Sequence, residues 1–102
     1  MFFELNGKTY GVKFSRNGTS TYAELIRVDD AIGIDNTNIT GQAHLFYKDR
    51  FEKSKGRKVA LASLLNKVQE FYNENPKEYP DYNMTEEVRK MIWEIYFKTH
   101  RK

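Results

Sequence analysis

The 102-residue chain contains no cysteine. That excludes a disulfide scaffold, a thiolate zinc site and a cysteine nucleophile. Its two histidines, His44 and His100, stand far apart in sequence, which argues against a histidine-based metal centre. No apolar run approaches the ~18 residues that a membrane-spanning helix needs. The start, Met1-Phe2-Phe3-Glu4, lacks the basic region and apolar stretch of a signal peptide, so the expected location is the cytoplasm with no membrane association. No Gly-x-Gly-x-x-Gly or Gly-x4-Gly-Lys-Ser/Thr loop is present. Catalytic sets are equally scarce. Asp29 and Asp30 are adjacent in a turn-rich stretch, where carboxylates are solvated rather than paired for acid–base work. No serine has a histidine near it in sequence, and His44 reads as a pocket or surface side chain on a strand. The expectation is a binding protein, not an enzyme, with no cofactor and no metal.

What the chain does have is one domain's length and many aromatic rings. Seven Phe, seven Tyr and Trp93 exceed what a small core hides with ease. They pad a sheet face or line an interface or ligand site. Charge is unevenly spread. Residues 1–47 carry four basic and five acidic side chains, and residues 59–102 carry seven of each. The stretch from Lys48 to Lys58 carries six basic and two acidic, so the whole positive excess of +3 sits there.

Two periods divide the chain. Phe3 and Leu5, then Tyr10, Val12 and Phe14, alternate with polar neighbours around Asn6-Gly7, the strongest short hairpin signal because both residues accept positive φ. A second turn is expected at Arg16-Asn17-Gly18 and a third strand over Thr21 to Val28. Asp29 to Asn38 reads as turns with a short strand from Ala31 to Ile34. Ile39 to Tyr47 alternates again, with Ile39, Gly41, Ala43, Leu45 and Tyr47 on one face. The period then becomes helical. Leu61, Leu64, Leu65, Val68, Phe71 and Tyr72 share one face of a helix over 54–73, capped by Ser54, which ends before Pro76. Pro76 and Pro80 mark a loop. Thr85 caps a second helix over 85–99 whose buried stripe is Val88, Met91, Ile92, Ile95 and Tyr96, with Glu86 and Glu87 at its positive end and the cations of Lys98 to Lys102 at its negative end. The predicted fold is α+β: one domain, residues 1–102, with an N-terminal antiparallel meander of four to five strands over 1–47 packed against two C-terminal helices. Trp93 and Phe97 lie off the core stripe and are candidates for a subunit or partner contact.

The two helices begin differently. The second starts with acids, as the helix dipole favours; the first starts with Arg57 and Lys58, at a cost of about a few tenths of a kcal/mol each. A helix start with free N–H groups, Gly56 permitting close approach and Arg57 able to grip two oxygens is a natural phosphate site. The alternative is a solvated basic loop, or Arg57 paired with a sheet carboxylate such as Glu24. Arg27 near a strand end and Arg89 on the last helix are further cationic candidates.

Gly41-Gln42-Ala43, Asp49-Arg50-Phe51, Lys55-Gly56-Arg57-Lys58 running into Val59-Ala60-Leu61-Ala62, and Glu87-Val88-Arg89 with Ile92-Trp93 and Tyr96 form a recognisable order. Over residues 39–62 and 85–97 it resembles a group of short bacteriophage proteins, in particular the phage anti-Thoeris sponge proteins. That resemblance implies sequestration, without cleavage, of a nucleotide immune signal in the host bacterial cytoplasm: a cyclic ADP-ribose isomer or a cyclic oligonucleotide. It also implies homo-oligomers with pockets between protomers. A second reading is a phage inhibitor that binds a host defence protein directly, in the manner of an anti-CRISPR; a third is a small DNA-binding accessory protein.

Overall fold

The computed structural model describes residues 1–29, 33–44 and 53–100. They form four strands, β1 (Phe2–Leu5), β2 (Lys8–Asn17), β3 (Ser20–Asp29) and β4 (Gly33–His44), then helix α1 (Lys53–Glu74), a 3-10 turn (Pro80–Tyr82) and helix α2 (Glu86–Thr99). The strands pair antiparallel in the order β1-β2-β3-β4, so the predicted meander and two helices are present. Asn6 and Gly7 make the first turn with φ of 53° and 77°, the double positive φ that their sequence calls for. The second turn centres on Gly18, and Asn17 already pairs with Ser20.

β4 departs from expectation. Residues 35 to 38 are not turns; with Gly33 and Ile34, the described part of the short strand expected from Ala31 to Ile34, they are continuous with residues 39 to 44 in a single strand. The pairing with β3 steps from Leu25↔Ile39 to Ile26↔Asn36, which leaves Thr37 and Asn38 as a bulge. Asn38 takes φ of 63°, and the Thr37 hydroxyl donates to the Leu25 carbonyl at 2.7 Å while accepting from the Ile39 amide at 3.3 Å. Asn38, whose residue type reads as turn chemistry, is one of the two residues of this bulge. The proposed continuation from Leu45 to Tyr47, the Asp49-Arg50-Phe51 turn, Asp30, and Arg101 and Lys102 lie outside the described residues.

One face of the sheet is covered. Phe3, Leu5, Tyr10, Val12, Ala23, Leu25, Ile39 and Ala43 point inward to meet Ala60, Leu61, Leu64, Leu65 and Val68 of α1 and Ile92 and Tyr96 of α2. The predicted stripes are correct in phase, with Phe71 at the rim, its ring 5.4 Å from that of Tyr79. The helices run antiparallel: Asn66 meets Arg89, and Lys58 meets Phe97.

α1 approaches β4 unusually closely because the facing residues are small. Register places Phe14, Ala23 and Gly41 in one row and Thr21 beside Ala43 in the next. A Cβ on Gly41 would overlap the Leu64 amide nitrogen and the Ala60 carbonyl oxygen. One on Gly56 would stand 2.7 Å from Thr21 Oγ1. Gly56 and Ala60 of α1, one turn apart, thus press on Thr21 and Gly41. At the other end of the sheet, Asp81 locks the 3-10 turn to the first hairpin. It accepts from Asn6 Nδ2 at 2.8 Å and Tyr10 Oη at 3.1 Å and pairs with Lys8 Nζ at 3.0 Å.

Both contacts can be tested through stability. Gly41→Ala sets a methyl against helix backbone, which no rotamer change relieves; it should cost about 1–3 kcal/mol in urea unfolding, and an unchanged midpoint would contradict the close approach. Burial pushes the Asp81 carboxyl up, but the hydrogen bonds from Asn6, Lys8 and Tyr10 and the Lys8 charge outweigh it and hold the carboxyl below its usual range. A depressed folded-state pKa means that the stabilisation is complete above pH ~4 and is lost as the pH falls through the folded value. Asp81→Asn should lower stability at pH 7 by about 1–3 kcal/mol and flatten the acid limb of the stability profile, and an unaltered acid limb would count against this assignment.

Candidate functional site

α1 starts at Lys53, before the predicted position, so Ser54 lies inside the helix and Arg57 and Lys58 fall in its second turn. The free N–H groups of the first turn are therefore not beside Arg57. α1 nonetheless has no acid in its first turn, whereas α2 has Glu86 and Glu87 there and Thr85 Oγ1 accepting from the Val88 amide at 3.2 Å. Gly56 is buried against Thr21, so its missing side chain serves helix–sheet contact and not the approach of a ligand.

The structure separates the five cationic and glycine candidates. Arg89 donates from Nε to the Met84 carbonyl at 3.0 Å and from Nη1 to Asn66 Oδ1 at 3.2 Å, so it is a strut holding the loop before α2. Arg27 sits on the inner face of β3 in register with Tyr10 and Asp35, six residues along the strand from Thr21, or about 20 Å. Only Gly56, Arg57 and Lys58 stay together. Glu24 lies on the opposite face of the sheet from α1, as its pairing with Lys13 and Thr40 places it. It is not the partner of Arg57.

Around Arg57 the structure assembles residues that sequence reasoning left in other roles. His100, expected within the tail that places cations at the negative end of α2, is the C-cap residue of α2, its amide bonded to the Tyr96 carbonyl at 2.9 Å. Its ring turns inward. It lies 4.7 Å from the Tyr96 ring and 5.4 Å from the Phe14 ring, and Phe14 stands edge-on to Tyr96 at 6.0 Å. Burial first, then the Arg57 guanidinium and the Met1 ammonium, lower the pKa of His100. Three buried polar atoms at this end of the helix pair, Arg57 Nε, Tyr96 Oη and His100 Nε2, have no hydrogen-bond partner among the described residues. The signal for His100 was present in sequence, four residues after Tyr96 on the same helical face.

The rim of this end is aromatic and cationic. Phe97 is 53% exposed, Lys58 Nζ stands 5.6 Å from the centre of its ring, and the half-buried Trp93 stacks on it at 5.9 Å. Neither ring tucks under the proline loop in its ring contacts: the loop's Tyr79 and Tyr82 stack on each other at 5.4 Å and meet Phe71 and Tyr10. His44 is exposed on the outer sheet face with both ring nitrogens engaged, by Ser20 Oγ at 2.8 Å and Gln42 Nε2 at 2.6 Å. Among the described residues no three His, Asp or Glu side chains gather as a metal site, and no helix is long and apolar enough to cross a membrane. Comparison with known protein families, with curated proteins and with solved structures finds no match to the chain.

The strut assignment for Arg89 is testable. Arg89→Ala should lower stability by about 1 kcal/mol through the freed Met84 carbonyl while leaving the affinity for phosphate-bearing ligands intact; a selective loss of affinity would return Arg89 to the site.

Proposed function

We propose that this chain binds and sequesters a phosphate-bearing nucleotide without turning it over. The observation that carries the reading is an exposed ring, Phe97, with Lys58 of α1 5.6 Å from its centre and Arg57 next to Lys58 in the second turn of a helix whose first turn has no acid. A base stacked on an aromatic face gains about 1–3 kcal/mol, and adjacent cations take the phosphates. The resemblance to phage sponge proteins supplies the biological setting: a counter-defence protein in the host bacterial cytoplasm that holds a cyclic ADP-ribose isomer or a cyclic oligonucleotide, assembled from identical chains. The absence from sequence of a catalytic set is in keeping with capture instead of cleavage.

The direct test is native mass spectrometry of the protein mixed with cyclic ADP-ribose isomers and cyclic oligonucleotides, followed by heating. Intact ligand should be recovered from the denatured protein, and the mass of the complex gives the number of subunits. Failure of any nucleotide to bind at micromolar concentration would sink the reading. Phe97→Ala should weaken binding by about 1–3 kcal/mol, and exchanging Arg57 and Lys58 for Glu should abolish it while the fold persists.

The exposed Phe97, continuous with Trp93, also keeps a second reading in view, direct inhibition of a host defence protein. It predicts a stable complex with that protein in the absence of nucleotide. Strong duplex DNA binding with a steep salt dependence would instead favour an accessory DNA-binding role.

A further inference from the structure

Leaving a buried polar atom unpaired destabilises the fold, and folded proteins keep such atoms few. Among the described residues three occur at one end of one helix pair: Arg57 Nε on α1 and, one turn apart on α2, Tyr96 Oη and His100 Nε2. Tyr96 is only 1% exposed, so water does not solvate its hydroxyl from outside. Their chemistry is alike. A guanidinium Nε is always a donor, a tyrosine hydroxyl donates readily, and an imidazole Nε2 donates in one neutral tautomer and in the cation. None of the three satisfies another. Among the described residues the surrounding charge is of one sign as well: the groups acting on His100 are Arg57 from α1 and the Met1 ammonium, with the uncharged rings of Phe14 from β2 and Tyr96 from its own helix packed against it.

We propose that Arg57, Tyr96 and His100 form one buried oxyanion subsite that takes a phosphate group. Donors arriving from two different helices suit a tetrahedral group, whose oxygens diverge, better than a carboxylate, whose two oxygens share a plane. The proposal rests on the reading of the chain as a nucleotide binder and deepens it: the base stacks outside on Phe97 and a phosphate enters among the three donors. Neutral His100 takes up a proton when the anion arrives, because the anion offsets the charge of Arg57 and the loss of water. Binding therefore tightens as the pH falls.

The test uses the full chain, titrated with inorganic sulfate, whose charge is constant between pH 5.5 and 8, and with ADP. Tyr96→Phe removes only the hydroxyl. It should leave the free protein as stable as before or more so, because an unpaired buried group is gone, and should weaken both ligands about tenfold or more. Sulfate affinity of the wild type should rise as the pH falls from 8 to 5.5, and His100→Gln should abolish that dependence. Unchanged affinity in Tyr96→Phe overturns the subsite while the nucleotide reading stands. Sulfate binding that depends on Tyr96, without binding of ADP or of any cyclic nucleotide, upholds the subsite and overturns the nucleotide reading. If neither sulfate nor nucleotide binds, both fall.

Discussion

The backbone of α1 rests on β4 with nothing between them at Gly41. A Cβ at that position would run into the amide of Leu64 and the carbonyl of Ala60, so the absence of a side chain sets the height of the helix above the sheet. Everything at the Arg57 end depends on that height. With α1 seated low, Gly56 reaches Thr21, and the residue after it, Arg57, comes close enough to the end of α2 for its charge to act on His100. A higher helix would leave Arg57 in solvent, where a guanidinium is a weak and general binder. Held against the core, its Nε is desolvated and needs a partner.

The two ends of the molecule solve the same problem differently. At the Asp81 end, a nearly buried carboxylate meets Asn6, Tyr10 and Lys8, so donors and charge are matched within the chain. Burial also holds the Tyr10 phenol in its protonated, donating form, aided by Tyr82 and Asp81. At the Arg57 end the donors are present and, among the described residues, no acceptor meets them. The unmatched end is the one proposed to bind an anion. It also carries the exposed Phe97 ring and the Lys58 ammonium, so the uncompensated interior and the adhesive rim are continuous.

Much of the architecture was legible in the sequence because local signals agreed with the global fold. Asn6-Gly7 specified its turn by φ alone, and the helical stripes followed from the spacing of Leu61, Leu64, Leu65 and Val68 and of Ile92 and Tyr96. Asn38 misled because a residue that tolerates positive φ serves a bulge as well as a turn, and only pairing with β3 tells them apart. The site was legible in part. The charge contrast between the helix starts points to Arg57, but no local pattern shows that Gly56 faces Thr21, thirty-five positions earlier in the chain, and not a ligand. Arg27 and Arg89 looked equivalent to Arg57 as charges. What distinguishes Arg89 is that the Met84 carbonyl and Asn66 already occupy it, a property of packing that no single-sequence pattern encodes. Tyr96 and His100 were visible only as a core residue and a tail cation, because an unpaired hydroxyl leaves no mark on periodicity.

The central claim is that an oxyanion reaches the interior of this protein at Arg57. Arginine side-chain Nε–H resonances, followed by two-dimensional ¹H–¹⁵N NMR during titration with inorganic phosphate and then with a nucleotide, test it most directly. The account predicts that the Arg57 Nε–H signal moves strongly and becomes protected from exchange while those of Arg27 and Arg89 stay in place. An Arg57 signal that does not move as ligand saturates the protein would contradict it.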